Sequence, residues 1–393
     1  MITYIYAFAL IVPAFTNSCS DLQRHLGLVF PSGSYVKKGV CHGLFWKSAR
    51  GTGEICVHTT ATRDVCPSTF PVYVSEAETI LGITGSSSPA PTTISTTIAA
   101  VARVAAVTTT ISPEPDSRSP LYEILAFGDW GFQGRQHVLT PTSRLITSRY
   151  TDIDAVFLLG DNFYPSGISR DLGTDDPAFN LFRTILAPST RVNFYPVLGN
   201  HDHLGSVDAQ IGFSHPQWVF PARYYFQRLA GREGLQICAW FLDTDEELFD
   251  ATQSAWLDRS IATEKGACDW LVVSGHHPIY DAGQYRPNEY LIAHLLPIIN
   301  RHRVNLYLSG HEHQSQVHFD GTTTFVISGA TGEVYNRPPR GGEFLIYINT
   351  REVAILRLKF FADIAEFEFV GTHLRGAPVI HRGVVRKPSS LDG

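Results

Sequence analysis

Five short segments of the chain end a hydrophobic run with residue types that ligate metal ions. A single Gly-Asp or Gly-His pair after a strand is often only a turn or a cap, but a series of five is too many for that explanation. Together the segments supply carboxylates, a phenol, an amide and imidazoles, enough oxygen and nitrogen donors for two neighbouring cations. Two cations held side by side are the equipment for hydrolysing a phosphate ester. The segments are residues 128–131 (GDWG), 160–164 (GDNFY), 199–203 (GNHDH), 275–278 (GHHP) and 310–313 (GHEH).

Three of these segments supply the oxygen ligands. A carboxylate shared between two cations must come from a rigid strand end, so we assign Asp161, after the apolar run 157–159, as the bridging ligand. Its alternative role is a helix or turn cap. Asp129 offers the second carboxylate, and Asn200 offers a neutral amide oxygen that suits a divalent ion.

Three histidines and a tyrosine complete the predicted ligand set. His276, His311 and His313 lie in strand-end loops, and three histidines so placed favour metal ligation over a structural role. Tyr164 is the most discriminating residue. A phenol has an unperturbed pKa of about 10, so it ligates as phenolate only to a strongly acidic, hard ion. Ferric iron is therefore the leading candidate for one of the two cations.

Short apolar runs typical of buried strands position these segments. Between them, residues 253–262 and 290–301 carry apolar residues at three-to-four spacing, which predicts helices. Alternating strands and helices predict an α/β domain whose ligands lie beyond the strand ends. Residues 344–348, 353–360 and 366–370 lack intervening helices and predict antiparallel strands in a second sheet. The strands predicted before them are 122–127, 155–159, 193–198, 235–242, 270–274 and 305–308.

The chain divides into five predicted parts. Residues 1–18 carry no charged side chain, which predicts a signal peptide, with an uncleaved membrane anchor as the alternative. Residues 85–120 are rich in Ser, Thr and Pro without any aromatic residue, which predicts a disordered linker. The other parts are a small disulfide-containing segment of unassigned role (19–84), the catalytic domain (121–381) and a flexible tail (382–393).

The six cysteines favour an oxidising compartment. Four of them cluster before residue 70, where they suit a disulfide-stapled segment whose pairing stays open, with free thiols as the weaker alternative. Cys238 and Cys268 lie near the starts of two predicted strands, and here we favour a disulfide over two buried thiols. The clustered four are Cys19, Cys41, Cys56 and Cys66.

The net charge and the predicted signal peptide together limit the possible partners. The formal charge of -6 over 393 residues is mild, which argues against a nucleic-acid partner or an anionic membrane surface. We expect a protein that is secreted or delivered to a lysosomal or vacuolar lumen. After signal cleavage it should be a monomer without stable membrane insertion, and its partners should be small phosphate esters or a phosphoprotein.

The motifs resemble those of the metallophosphoesterase superfamily and, within it, the purple acid phosphatases of the small, tartrate-resistant type. The resemblance covers residues 121–381 and implies an α/β/β/α fold, a two-sheet sandwich flanked by helices. It also implies an acid phosphatase that hydrolyses phosphate monoesters with a metal-activated hydroxide at a dinuclear centre. Gly131 stands where many two-metal phosphoesterases place a histidine, and Tyr164 would fill that vacancy. Besides the five segments, the resemblance rests on residues 204–205 (LG), 217–221 (QWVFP) and 242–244 (LDT).

The resemblance distributes the ligands between two ions. Fe(III) would be held by Asp129, Asp161, Tyr164 and His313. A second ion, which can be iron, zinc or manganese, would be held by Asp161, Asn200, His276 and His311.

Three further residues receive roles at this site. We expect His201 to contact the phosphate together with Asn200 and to protonate the leaving group, with His203 as a helper. Hydrogen bonding of a loop is the alternative role for His203. Tyr285 stands where related phosphatases carry another histidine, and we assign it to substrate binding as a neutral hydrogen-bond donor.

The predicted ligand residues are compatible with two other functions. A phosphodiesterase or nucleotide hydrolase of the same superfamily is one alternative, since metal ligands do not set the leaving group. A non-catalytic adhesion protein is the other, and the complete set of seven ligand positions argues against it.

Overall fold

A computed structural model describes residues 118–387 except 133, 135, 246, 247 and 343, together with the backbone of three strands near the N-terminus. These strands, β1 (Tyr35–Lys37), β2 (Val40–Ser48) and β3 (Gly51–His58), form an antiparallel sheet in that order. The predicted signal peptide, the rest of the cysteine segment, most of the linker and the pairing of the first four cysteines lie outside the described residues.

A six-stranded mixed sheet carries the first three ligand segments. Its strands are β4 (Tyr122–Phe127), β5 (Ala155–Leu158), β6 (Asn193–Pro196), β14 (Ala354–Phe360), β15 (Ile364–Gly371) and β16 (Val379–Arg386). The order is β16-β15-β14-β4-β5-β6, with β4, β5 and β6 parallel and the other three antiparallel. Because β4, β5 and β6 run the same way, their carboxyl ends meet at one edge.

A seven-stranded sheet carries the histidine segments. Its strands are β7 (Tyr225–Ala230), β8 (Gln236–Phe241), β9 (Trp270–Ser274), β10 (Leu306–Ser309), β11 (Ser315–Phe319), β12 (Thr324–Ser328) and β13 (Leu345–Asn349). The order is β13-β11-β12-β10-β9-β8-β7. The central strands β8, β9, β10 and β12 are parallel, so loops after β9 and β10 leave this sheet at one edge.

Large aromatic side chains join the two sheets. Phe157 of β5 packs edge-on against Phe241 of β8 with ring centroids 4.8 Å apart. Trp270 of β9 lies 5.7 Å from Phe360 of β14 and donates its indole N–H to the carbonyl of Phe361 at 2.9 Å. All four rings are fully buried, and burying one such side chain stabilises a fold by about 1.5–3 kcal/mol. The sandwich therefore holds the ligand edges of both sheets in a fixed relation.

Helices cover the outer faces. They are α1 (Gln136–Arg149), α2 (Asn200–His203), α3 (Val207–Ile211), α4 (Ala251–Glu264), α5 (Glu289–His294) and α6 (Leu296–His302). Asp250 caps α4 by accepting the amide protons of Thr252 and Gln253, each at 2.9 Å. Leu257 and Ile261, four residues apart, bury one face of α4 against the seven-stranded sheet.

Short 3₁₀ or π turns complete the described elements. They are Gly173–Asp175, Pro177–Phe179, Phe182–Leu186, Ala187–Ser189, Arg232–Gly234 and Lys265–Ala267.

The predicted two-sheet α/β fold is confirmed, and so is the disulfide between Cys238 and Cys268, whose Cα atoms are 5.7 Å apart. The single helix predicted over 290–301 is wrong. Two helices, α5 and α6, divide at Leu295, because Pro297 has no amide hydrogen and its ring crowds the carbonyl four residues earlier. The flexible tail predicted from residue 382 is also wrong for its first residues, since β16 continues to Arg386, which pairs with Ile364. No helix within the described ranges is long and apolar enough to cross a bilayer.

Candidate metal centre

The predicted ligands follow strands whose carboxyl ends face one another across the sandwich. Asp129 follows β4, Asp161 follows β5 and Asn200 begins α2 just after β6. From the other sheet, His276 follows β9, and the loop after β10 carries His311 and His313. The seven predicted side chains form two groups of contacting donor atoms, and both groups include Asp161.

The first group is centred on the Tyr164 hydroxyl. This oxygen lies 2.6 Å from Asp161 Oδ2, 3.1 Å from Asp129 Oδ1 and 3.1 Å from His313 Nε2. His313 Nε2 is also 3.3 Å from Asp129 Oδ1. Donors around an octahedral ion with bonds of about 2.1 Å lie roughly 3 Å apart, so these spacings fit one cation. The single proton of the Tyr164 hydroxyl can be donated to only one of the two carboxylate oxygens, whereas a shared cation would contact all of these atoms.

The second group is centred on the amide oxygen of Asn200. Its Oδ1 lies 3.0 Å from His311 Nδ1 and 3.2 Å from His276 Nε2. His276 Nε2 is 3.5 Å from Asp161 Oδ1, so the two oxygens of Asp161 face different groups. The donor set of carboxylate, amide and two imidazoles fits a divalent ion. Asp161 therefore presents one carboxylate oxygen to each group.

Burial sets the protonation of these ligands. It lowers the pKa of His276 and of His311 well below the ordinary value, with the neighbouring His277 adding to the effect. Both rings are then neutral, the form that ligates a metal. Burial also raises the pKa of Tyr164, as do the charges of Asp129 and Asp161. Only a strong positive charge in this group could bring Tyr164 to the phenolate, which agrees with a hard, highly charged ion.

At three of the predicted ligands the backbone adopts a conformation that residues other than glycine rarely adopt. Asp129, Asp161 and His311 have φ values of 58°, 51° and 66°, in the left-handed region. Strain of this kind persists where surrounding structure enforces it, and functional sites are where it concentrates. Gly131 is packed so closely that a Cβ there would lie 1.8 Å from the carbonyl oxygen of Asn162. A histidine at position 131 would require this loop to move.

Comparisons with known proteins agree with this geometry. Residues 122–315 match the family model of the calcineurin-like phosphoesterases. The chain is 30% identical over 243 residues to tartrate-resistant acid phosphatase type 5 of Sus scrofa, covering 54% of this chain and 70% of that protein. It is 30% identical over 233 residues to purple acid phosphatase 7 of Arabidopsis thaliana, covering 54% and 70% of the two chains. The chain belongs to the purple acid phosphatase family.

A solved structure shares the fold of this acid phosphatase. GAP50, described as the anchor in the inner membrane complex of Plasmodium, superposes with a TM-score of 0.59 at 22% identity, covering 68% of the phosphatase and 89% of GAP50. Identity at this level shows the fold alone. The family itself implies a dinuclear metal centre, and the two groups sharing Asp161 have the donors to hold one.

Asp202 fixes two ligand loops of the phosphatase, a role that the sequence analysis missed. It is fully buried and accepts amide protons from Gly199 at 2.9 Å, Asn162 at 3.0 Å and Phe163 at 3.2 Å, and the side-chain amide of Gln210 at 2.9 Å. These donors flank Asp161 and Asn200. The carboxylate in the GNHDH segment was the available signal, but two of its partners, Asn162 and Phe163, lie about 40 residues earlier in the chain.

The two histidines beside Asn200 differ in position. His201 Nδ1 lies 2.5 Å from the carbonyl oxygen of Pro165, and its Nε2 lies 3.9 Å from Asp161 Oδ2, so the ring borders the first group. His203 is turned away and contacts Asp243 Oδ1 at 2.9 Å. Burial would lower the pKa of His203, but the hydrogen bond and charge of Asp243 raise it. Asp243, which lies in the loop after β8, also forms an ion pair with Arg223 at 2.8 Å. The hydrogen bond from His203 to Asp243 therefore connects α2 to this loop.

Tyr285 covers the second group. Its ring stacks on His311 with centroids 4.3 Å apart, and it lines a cavity of about 670 Å³ that also reaches Asn200 and His277. Aromatic rings cover the first group as well: Phe132 stacks on Tyr164 at 3.9 Å and Tyr335 on His313 at 4.2 Å. These rings restrict the approach of water to the ligand atoms.

Glu312 holds the loop that carries Tyr285, a second role missing from the sequence analysis. Its Oε2 accepts the amide protons of Gln284 at 2.6 Å and Tyr285 at 3.2 Å. Asp281 Oδ1 accepts the amide proton of Gly283 at 2.7 Å. Two carboxyl groups buried together require a proton between them. Burial and the charge of Asp281 accordingly raise the pKa of Glu312 to about 8.

Replacing Glu312 with glutamine should change how stability depends on pH. The pKa of this carboxyl is about 8 in the folded chain against an ordinary 4.5, so the folded state keeps the proton that the unfolded state loses. Stability of the parent should therefore be full below pH 4.5 and fall as the pH rises toward 8. Glutamine supplies a permanent donor to Asp281, so E312Q should match the parent at pH 4.5 and melt a few degrees higher at pH 8.

Thermal melts of both proteins across this range measure the difference. The matched variant E312A loses the acceptor for Gln284 and Tyr285 and should be less stable at every pH. Parallel melting curves for E312Q and the parent would contradict the assigned proton.

Proposed function

We propose that this chain is an exported acid phosphatase that hydrolyses phosphate monoesters with a metal-activated hydroxide at a pair of cations, Fe(III) and a divalent ion. Fe(III) is held by Asp129, Asp161, Tyr164 and His313. A divalent ion, which can be iron, zinc or manganese, is held by Asp161, Asn200, His276 and His311. The observation that carries this proposal is the Tyr164 hydroxyl, which lies within 3.1 Å of two carboxylate oxygens and one imidazole nitrogen.

The bound cations would supply Lewis acidity for the phosphate oxygens and lower the pKa of a water molecule. The chain supplies their spacing, because Asp161 presents one oxygen to each group. It also keeps the imidazoles of His276 and His311 neutral by burial. The stacked rings of Phe132, Tyr335 and Tyr285 cover part of the ligand surface and thereby reduce its contact with water, which strengthens the electrostatic interactions there.

His201 is proposed as the residue that contacts the phosphate and delivers a proton to the leaving group. Donation from Nδ1 to the carbonyl of Pro165 fixes the ring and leaves Nε2 toward the ligand groups. The side chain is 33% exposed, so it can regain a proton from solvent after each turnover. For His203 we propose the role of a helper, with its hydrogen bond to Asp243 as the supporting contact; hydrogen bonding of the loop after β8 is the alternative role.

The cavity beside the second group is the proposed site for the alcohol portion of the ester. Tyr285 and Asn200 line it at the ligand end, and Arg286, Asp245 and Glu289 bring charge of both signs farther out. Such a lining accepts polar leaving groups, which agrees with small phosphate esters or a phosphoprotein. Export to an extracellular, lysosomal or vacuolar compartment is supported by the apolar segment 1–18 and by the disulfide between Cys238 and Cys268. We further propose that the chain acts as a monomer.

Substituting phenylalanine for Tyr164 tests the proposal. The purified parent should contain iron and show a visible absorption band from phenolate-to-iron charge transfer, and Y164F should lose that band because its ring has no oxygen. Absorption spectroscopy with metal analysis provides the measurement. Tyr335 stacks its ring on His313, but its hydroxyl is not one of the donor atoms assigned to the first group, so the matched variant Y335F should keep the band. A colourless, iron-free parent with full phosphatase activity would refute the ferric assignment.

A further inference from the structure

Two tyrosines cover the ligand groups and contact each other. Tyr285, in the loop after β9, stacks on His311 with ring centroids 4.3 Å apart. Tyr335, in the loop after β12, stacks on His313 at 4.2 Å. The hydroxyls of the two tyrosines are hydrogen-bonded to each other. This tyrosine pair therefore joins the covers of the two groups, and the sequence analysis assigned no role to Tyr335.

The loop after β10, which carries two of the ligand histidines, also anchors both tyrosines. Glu312 Oε2 accepts the amide proton of Tyr285 at 3.2 Å. The amide of Tyr335 donates to the carbonyl oxygen of His313 at 2.9 Å. Gln314 Nε2 donates to the carbonyl oxygen of Tyr335 at 3.0 Å. Both tyrosine backbones are therefore fixed to the same loop, which keeps their hydroxyls within hydrogen-bonding reach of each other.

The hydrogen bonds around Tyr285 make its hydroxyl a donor toward the cavity. Burial raises the pKa of Tyr285, whereas hydrogen bonds from Tyr335 and Gln284 oppose the rise, as donation to its oxygen does. Burial also raises the pKa of Tyr335, and the hydrogen bond to Tyr285 adds to the rise, as expected for the donor. A hydroxyl has two acceptor lone pairs and one proton. With both lone pairs of Tyr285 engaged, its proton is left for an acceptor in the cavity that it lines together with Asn200.

We propose that Tyr335 is a positioning residue, whose hydroxyl holds the Tyr285 hydroxyl in the orientation that donates a hydrogen bond to a phosphate oxygen of the bound ester. This inference rests on the proposed phosphatase function and deepens it. An unperturbed phenol has a pKa of about 10, so both tyrosines are neutral donors at acidic and at neutral pH. The pair thus supplies an uncharged contact at the position where related phosphatases carry a histidine.

Replacement of Tyr335 by phenylalanine, which keeps the ring that stacks on His313 and removes only the hydroxyl, tests the assignment. Y335F should bind inorganic phosphate about three- to tenfold more weakly than the parent, the loss expected for one neutral hydrogen bond. KM for p-nitrophenyl phosphate should rise by a similar factor while kcat stays within about twofold, because the contact is made to substrate and transition state alike. Calorimetric titration of the metal-loaded enzyme with phosphate and steady-state kinetics measure these effects.

A double-mutant cycle separates positioning from direct contact. Y285F should weaken phosphate binding at least as much as Y335F, and Y285F/Y335F should lose no more than Y285F, because Tyr335 acts only through Tyr285. Additive losses, or unchanged phosphate affinity in Y335F, would overturn the inference.

Control variants exclude other causes of a change. Y347F removes the hydroxyl of a tyrosine that stacks on His381 at 3.7 Å outside the site, and it should keep the parent's phosphate affinity. Y335L removes the same hydroxyl as Y335F with a different side chain and should reproduce the loss if Y335F does not fold. A parent that neither binds phosphate nor hydrolyses the ester would instead refute the proposed function.

Discussion

Replacing Asp161 with asparagine is expected to lower kcat about a thousandfold or more. The variant keeps the side-chain shape but loses the charge shared by both groups, where one oxygen lies 2.6 Å from Tyr164 and the other 3.5 Å from His276. Removing a single stabilising donor from an active site commonly costs about 10²–10³ in kcat. Asp161 contributes to both proposed cation sites at once, so the decrease in kcat should lie at the upper end of this range or beyond it.

Hydrolysis of p-nitrophenyl phosphate measures this effect, and metal analysis of the same preparation shows whether both ions remain. Asp152 offers a matched control, because it is an exposed carboxylate on a turn before β5 and D152N should retain parental kcat. A D161N enzyme with kcat within tenfold of the parent would contradict the bridging assignment.

Replacing Asp202 with alanine is expected to destabilise the catalytic domain by about 3 kcal/mol or more. The buried carboxylate accepts backbone amide protons from Gly199, Asn162 and Phe163. Alanine leaves these three donors without their acceptor, and each unsatisfied buried donor costs roughly 1–3 kcal/mol. A loss of this size is a large part of the 5–15 kcal/mol typical of a folded domain. The loop that carries Asp161 and the loop that carries Asn200 should therefore loosen together.

Urea unfolding of the metal-loaded enzyme measures the loss as a lower midpoint with an unchanged slope. D202N retains one carbonyl oxygen as an acceptor, so its stability should fall between those of the parent and D202A. Equal midpoints for D202A and the parent would show that the loops are held by other contacts.

The sequence determined the ligand types and their placement at strand ends. Asp129, Asp161 and Asn200 follow apolar runs that became parallel neighbours, and the carboxyl ends of parallel strands necessarily share an edge. Tyr164 could be singled out because phenolate ligation demands an unusual cation, a property of the side chain itself. The disulfide between Cys238 and Cys268 was likewise foreseeable, since both cysteines enter neighbouring strands.

Tertiary structure alone decided which distant residues support those ligands. Asp202 has its carboxylate among amides up to 40 residues away. Glu312, in the loop after β10, accepts the amide proton of Tyr285 in the loop after β9, 27 residues earlier in the chain. Spacing along the chain carries no information about such contacts. They arise only when parallel strands pair and bring the loops at their carboxyl ends together, and burial then fixes the partners and protonation of the polar groups there.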